Sequence, residues 1–76
     1  MRDITARQAQ ILIFIENFIQ QNGYSPSIRE IAEHFNISVK GADDHIFALE
    51  NKGAIEVTRG KARTIRIKAK KQGVNP

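Results

Sequence analysis

Seventy-six residues, 41% of them hydrophobic and 26% charged, suffice for one small globular domain and leave no room for a second. With no cysteine in the chain, disulfides, thiolate zinc sites, iron–sulfur clusters and cysteine nucleophiles are excluded, and so short a chain has little volume for a catalytic cleft beside its core. The net charge of +4 points to a polyanionic partner, and its distribution sharpens this: residues 1–51 sum to −3, whereas residues 52–76 reach +7, with Lys52, Arg59, Lys61, Arg63, Arg66, Lys68, Lys70 and Lys71 set against Glu56 alone.

In chain order, Thr5-Ala6-Arg7-Gln8 is a capping box, in which a hydroxyl and a glutamine three residues on take each other's backbone N–H groups. It opens a first helix whose Ile11, Leu12, Phe14, Ile15, Phe18 and Ile19 share one arc opposite Ala9, Glu16, Asn17 and Gln20, with Ile13 on the polar side. Gly23 supplies a left-handed C-terminal cap, and Ser25-Pro26 enforces a turn. The apolar run Ile11–Ile15 is far short of a membrane span, and a soluble cytoplasmic chain is expected.

Ser27-Ile28-Arg29-Glu30 is a second capping box, opening a two-turn helix with Ile28, Ile31, Ala32 and Phe35 inward. Asn36 suits a left-handed turn position, Ile37 points inward, and Ser38 caps a third helix with the stripe Val39, Ala42, Ile46 and Leu49, ending at Gly53. Two helices joined by so short a turn form a helix-turn-helix pattern. Beyond Gly53 the period falls from 3.6 to 2: Ile55 and Val57, then Ile65 and Ile67, alternate with polar residues around a loop near Arg59–Arg63. The expectation is an α+β fold over residues 1–68, a three-helix winged helix-turn-helix with a C-terminal two-stranded β-hairpin, followed by a linker at residues 69–76.

The segments Ile4-Thr5-Ala6-Arg7-Gln8, Gly23 to Ala32, His45-Ile46-Phe47-Ala48-Leu49 and Lys52-Gly53-Ala54-Ile55-Glu56-Val57, in this order and spacing, resemble the N-terminal DNA-binding domain of LexA repressors of the bacterial DNA-damage (SOS) response. The resemblance covers residue 4 to about residue 67. It implies a transcriptional repressor that binds palindromic double-stranded operators as a homodimer on DNA, with the third helix in the major groove and the wing at the backbone. It also implies a C-terminal domain with a self-cleaving Ser/Lys dyad, responsive to RecA filaments. No such domain follows Pro76, so a non-enzymatic fragment, weakly dimeric or monomeric alone, is expected; a stand-alone repressor is the alternative. Where the family typically has Ser-Pro-Asn-Ala-Ala-Glu-Glu-His, this chain reads Ser38-Val39-Lys40-Gly41-Ala42-Asp43-Asp44-His45, and the operator of other members does not transfer.

On the third helix, Lys40, Asp43, Asp44, Phe47 and Asn51 point away from the apolar stripe, with Ser38 at its start and Gly41 at the edge. These are the candidate base-reading residues. Lysine donates to guanine O6 and N7, and carboxylates accept from cytosine N4; alternatively, Lys40 meets only solvent or phosphate, and Asp43 and Asp44 serve the helix dipole. Gly41 marks either a close approach to DNA or a tolerant first turn, and Phe47 either meets a thymine methyl or, as preferred here, packs against the second helix. Arg7, Arg29, Lys52, Arg59, Lys61 and Arg63 are candidate phosphate contacts, which add affinity without sequence information; for Arg7 and Arg29 surface solubility is the alternative. His34 and His45 lack metal-ligand spacing, His45 is expected to border the core, and Ser25, Ser27 and Ser38 read as turn or cap residues. No cofactor or metal is expected. The rival reading is a winged helix that binds protein, which has no need of the cations at the wing.

Overall fold

The computed structural model describes residues 4–68. Three helices, α1 (Ala6–Asn22), α2 (Ile28–Phe35) and α3 (Val39–Asn51), precede two short antiparallel strands, β1 (Ile55–Glu56) and β2 (Arg66–Ile67). Each helix begins where a side chain satisfies a backbone N–H that the helix itself leaves free. Thr5 and Gln8 close one capping box, Ser27 and Glu30 a second, and Ser38 Oγ accepts from the Gly41 N–H at 2.9 Å. The ends follow the same logic: Gly23 (φ 81°) stops α1 and Asn36 (φ 57°) stops α2, both left-handed.

Ile11 and Ile15 of α1, Ile31 of α2, Ile46 and Leu49 of α3 and Ile55 of β1 are buried to within 1% of completeness. At about 1.5–3 kcal/mol for each large side chain removed from water, this cluster is the main source of stability in a domain without covalent staples. Ala32 and Ala42, also buried, carry small side chains into the α2 and α3 contributions to the core. The Ile37 N–H donates to the Ala32 carbonyl at 3.0 Å and fixes the turn between those helices. Ile13 stays 56% exposed, on the side its position on the wheel gives it.

The hairpin is shorter than the alternation of residues 55–58 and 64–68 suggests. Only Ile55↔Ile67 and Glu56↔Arg66 face each other in the ladder, with the Lys68 N–H reaching the Ala54 carbonyl beyond it. Past Glu56 the side chain of Thr64 takes the place of a ladder: its Oγ1 accepts from the Thr58 N–H at 3.1 Å, and its hydroxyl donates to the Thr58 carbonyl at 3.0 Å. The Ile65 N–H leaves the hairpin altogether and donates to Ser25 Oγ at 3.2 Å. Residues 57–65 thus form a loop tied to the body of the domain. The linker expected at residues 69–76 lies outside the described residues.

Candidate nucleic-acid interface

The core stripe of α3 turns its opposite face outward. Lys40 and Asp44, one turn apart, pair at 3.6 Å with side chains 85% and 67% exposed, an arrangement worth about 0.3–0.5 kcal/mol at most and screened by salt. Both groups therefore remain free to exchange each other for a ligand. Phe47 projects from the same face, 55% exposed, and Asn51 closes it at the end of the helix. The preferred expectation that Phe47 packs against the second helix is not met. Its position lies opposite Ala42, Ile46 and Leu49, and it is the wing's Arg59 that reaches it, with the guanidinium 5.8 Å from the ring centre.

Arg59 also ties the wing to α3 through charge. Its Nη2 lies 2.9 Å from Glu50 Oε1 and its Nη1 3.5 Å from Asp43 Oδ1. Asp43 thus has a specific cation beside it, and it lies beyond the first turn of α3, where the helix dipole acts; Glu50, which sequence reasoning passed over, is the closer partner. The structure therefore brings Lys40, Asp43, Asp44, Phe47 and Arg59 onto one continuous surface, with Ser38 and Gly41 in the first turn of α3 at its edge.

The expected phosphate contacts divide. Lys61 and Arg29 are exposed, and neither side chain has an ion pair among the described residues. Arg7 sits with its guanidinium 5.5 Å from the Phe35 ring centre. Lys52 donates from Nζ to Gln8 Oε1 at 2.7 Å, the same oxygen that receives the Thr5 N–H in the first capping box. Gln8 is buried, so this lysine serves the junction of α1 with the end of α3.

Arg63 is the most heavily engaged. Its Nη1 and Nη2 meet Glu30 Oε1 and Oε2 at 2.8 and 2.9 Å, Nη1 also donates to the Ser25 carbonyl at 3.2 Å, and the guanidinium lies 5.0 Å from the Tyr24 ring centre. The Arg63 guanidinium and the Ser27 N–H together hold the Glu30 carboxyl below the ordinary glutamate range. His45 is half-buried, and His34 stacks on Phe14 with centroids 4.2 Å apart. No group of three or more histidine, aspartate or glutamate side chains is placed to hold a metal ion among the described residues.

A helix-turn-helix whose second helix presents a polar outer face beside a hairpin bearing arginine and lysine is a winged helix-turn-helix of the DNA-binding kind. Comparison with known proteins agrees over most of the chain: residues 1–64 match the family model described as the LexA DNA binding domain. The chain is 55% identical over 67 residues, 88% of its length, to the LexA repressors of Thermotoga neapolitana and Thermotoga maritima. To the LexA repressor of Thermosipho melanesiensis it is 45% identical over 74 residues, 97% of its length. The chain belongs to the LexA DNA-binding domain family. It spans about a third of the length of the curated relatives it matches, 34% of the two Thermotoga proteins and 37% of the Thermosipho protein. No helix among the described residues is long and apolar enough to cross a membrane.

Proposed function

We propose that this chain is the operator-binding module of a LexA-like repressor of the DNA-damage response, working in the bacterial cytoplasm at the nucleoid. The observation that carries this reading is the outer face of α3, where Lys40, Asp44 and Phe47 stand exposed and the wing's Arg59 reaches Phe47, with Lys61 exposed on the same wing. A helix so exposed fits the major groove, where Lys40 donates to guanine and Asp43 or Asp44 accepts from cytosine N4. Phe47 offers its ring to a thymine methyl, while Ser38, Gly41 and Asn51 flank these contacts. Lys61, Arg59, Arg29 and Arg7 supply phosphate contacts, and DNA phosphates draw Arg59 away from Asp43 and Glu50 at the moment of binding.

Two copies occupy a palindromic operator, because one α3 spans only a half-site. Strong dimerisation and self-cleavage in response to RecA filaments belong to a C-terminal domain of the whole repressor; the stretch described acts by binding. The test is selection of bound duplexes from a random pool. Enrichment of an inverted repeat supports the proposal, and recovery of no preferred sequence favours a protein partner instead.

A further inference from the structure

The wing has too little strand pairing to orient itself: two residue pairs join β1 to β2, and a ribbon of that length has no independent stability. Its direction must come from contacts outside the ladder: Arg59 reaches α3, where DNA phosphates compete for it, and the others converge on the turn before α2 and the start of that helix. Ser25 receives the Ile65 N–H on its hydroxyl and an Arg63 N–H on its carbonyl, at 3.2 Å each. Glu30 receives the Arg63 fork at 2.8 and 2.9 Å. Arg63 itself has φ 57°, a left-handed conformation that few non-glycine residues other than asparagine and aspartate adopt, so its surroundings hold it in place.

We infer that Arg63 is a positioning residue which, through its fork on Glu30 at the N-terminus of α2, sets the angle of the wing against DNA, and that it is not itself a phosphate contact. This rests on the DNA-binding reading above and revises the expectation for one of its residues. A fork holding both carboxylate oxygens leaves a guanidinium little reason to exchange them for phosphate, whereas Lys61, free of ion pairs among the described residues, gives up nothing. The tie also joins the two halves of the module. Glu30 Oε1 accepts the Ser27 N–H at 2.9 Å, so one carboxylate caps α2 and holds the wing.

The molecule contains its own control for separating those two duties. In α1 the equivalent capping position is Gln8, whose amide oxygen accepts the N-cap N–H as a carboxylate does. Glu30→Gln therefore keeps the capping box of α2 and removes the charged fork. Arg63→Lys keeps the charge and removes the bidentate geometry. If charge alone governs binding, Glu30→Gln removes a negative group near DNA and tightens it, and Arg63→Lys changes nothing.

The inference predicts the opposite: both variants bind the selected operator about two- to fivefold more weakly, the range of an exposed arginine–carboxylate pair. The slope of log affinity against log salt stays at the parent value, and the double variant is no worse than either single one. A phosphate contact would instead tolerate a lysine in place of the arginine, so Arg63→Gln serves as the companion: a slope flatter by about 0.9, the value for one phosphate left without its cation, would overturn the inference. So would operator binding by Glu30→Gln as tight as the parent's or tighter, or parental binding by Arg63→Lys.

Amide exchange without DNA reads the tie directly. The Ile65 amide is expected to exchange faster in Glu30→Gln and Arg63→Lys while that of Ile46, in the core, does not; an unchanged Ile65 rate would overturn the tie. If the parent chain prefers no duplex sequence, the DNA-binding reading fails, and the Ile65 rates still decide whether Arg63 orients the wing.

Discussion

Replacing Gly41 with alanine tests why a helix-breaking residue stands in the first turn of the helix assigned to DNA. Glycine inside a helix costs about 0.5–1 kcal/mol relative to alanine through the entropy of the unfolded chain, and Gly41 has no left-handed backbone to excuse it. A Cβ placed there meets Ser38 Oγ at 3.2 Å, closer than comfortable contact, so the cap must retreat a little. The other two caps show that it can. Gln8 and Glu30 occupy the same third position of their helices, each with a Cβ, and their N–H groups reach the capping hydroxyl at 3.1 Å against 2.9 Å for Gly41. The cap bond survives that lengthening, and the entropy gain remains. For a domain of this size the melting temperature should rise by about 2–8 °C, measured by circular dichroism. A fall in melting temperature would refute the reasoning, because it would mean that the Ser38 cap does not survive the added methyl. Operator affinity is expected to drop in the same variant, since α3's first turn lies at the edge of the proposed interface. Unchanged affinity would remove Gly41 from that interface.

Three further outcomes follow from particular contacts. Leu49→Ala opens a cavity in a core with no exposed side to collapse from; a loss of about 2–5 kcal/mol is expected, and denaturant titration showing less than about 1 kcal/mol would contradict the packing. Glu30 has its carboxyl pKa lowered in the folded chain, chiefly by Arg63 from the wing, whose guanidinium also lies beside the Tyr24 ring, and by Ser27. Its contribution is therefore complete at neutral pH and is lost as pH falls through the lowered value, so the acid-induced loss of stability should be smaller in Glu30→Gln than in the parent. The chain alone should sediment as a monomer at micromolar concentration, because Ile11 and Ile15 of α1, Ile46 and Leu49 of α3 and Ile55 of β1 are committed to one shared core; a tight dimer in free solution would overturn this.

Most of the fold is written in local signals. Thr5, Ser27 and Ser38 mark the helix starts, Gly23 and Asn36 the stops, and the change of period after Gly53 marks the wing. Each acts over four residues or fewer, and each has one dominant conformation. The long-range polar contacts are not written that way. Arg63 and Glu30 are 33 positions apart and Lys52 and Gln8 are 44 apart, and nothing in periodicity tells which cation a carboxylate meets. For that reason Lys52, Arg59, Lys61 and Arg63 read as one phosphate-binding set, whereas folding gives Lys52 to α1, Arg63 to α2, Arg59 to α3 and Lys61 to solvent. The exposure of Phe47 has a related cause. An aromatic residue suggests burial, yet its angle on the helix opposes the stripe, and a guanidinium from the wing gives it a partner that keeps it at the surface.

The division of labour between α3 and the wing is decided by comparing Lys40→Ala with Lys61→Ala on the selected operator and on a scrambled duplex across a salt series. Lys40→Ala should weaken operator binding about tenfold to a hundredfold, relax base preference at one position of each half-site and leave scrambled DNA nearly unaffected. Lys61→Ala should weaken both duplexes alike and flatten the slope of log affinity against log salt by about 0.9 for each phosphate that no longer meets a lysine. If both variants gave the same uniform loss of affinity with the same change in slope, α3 would not be the reading element.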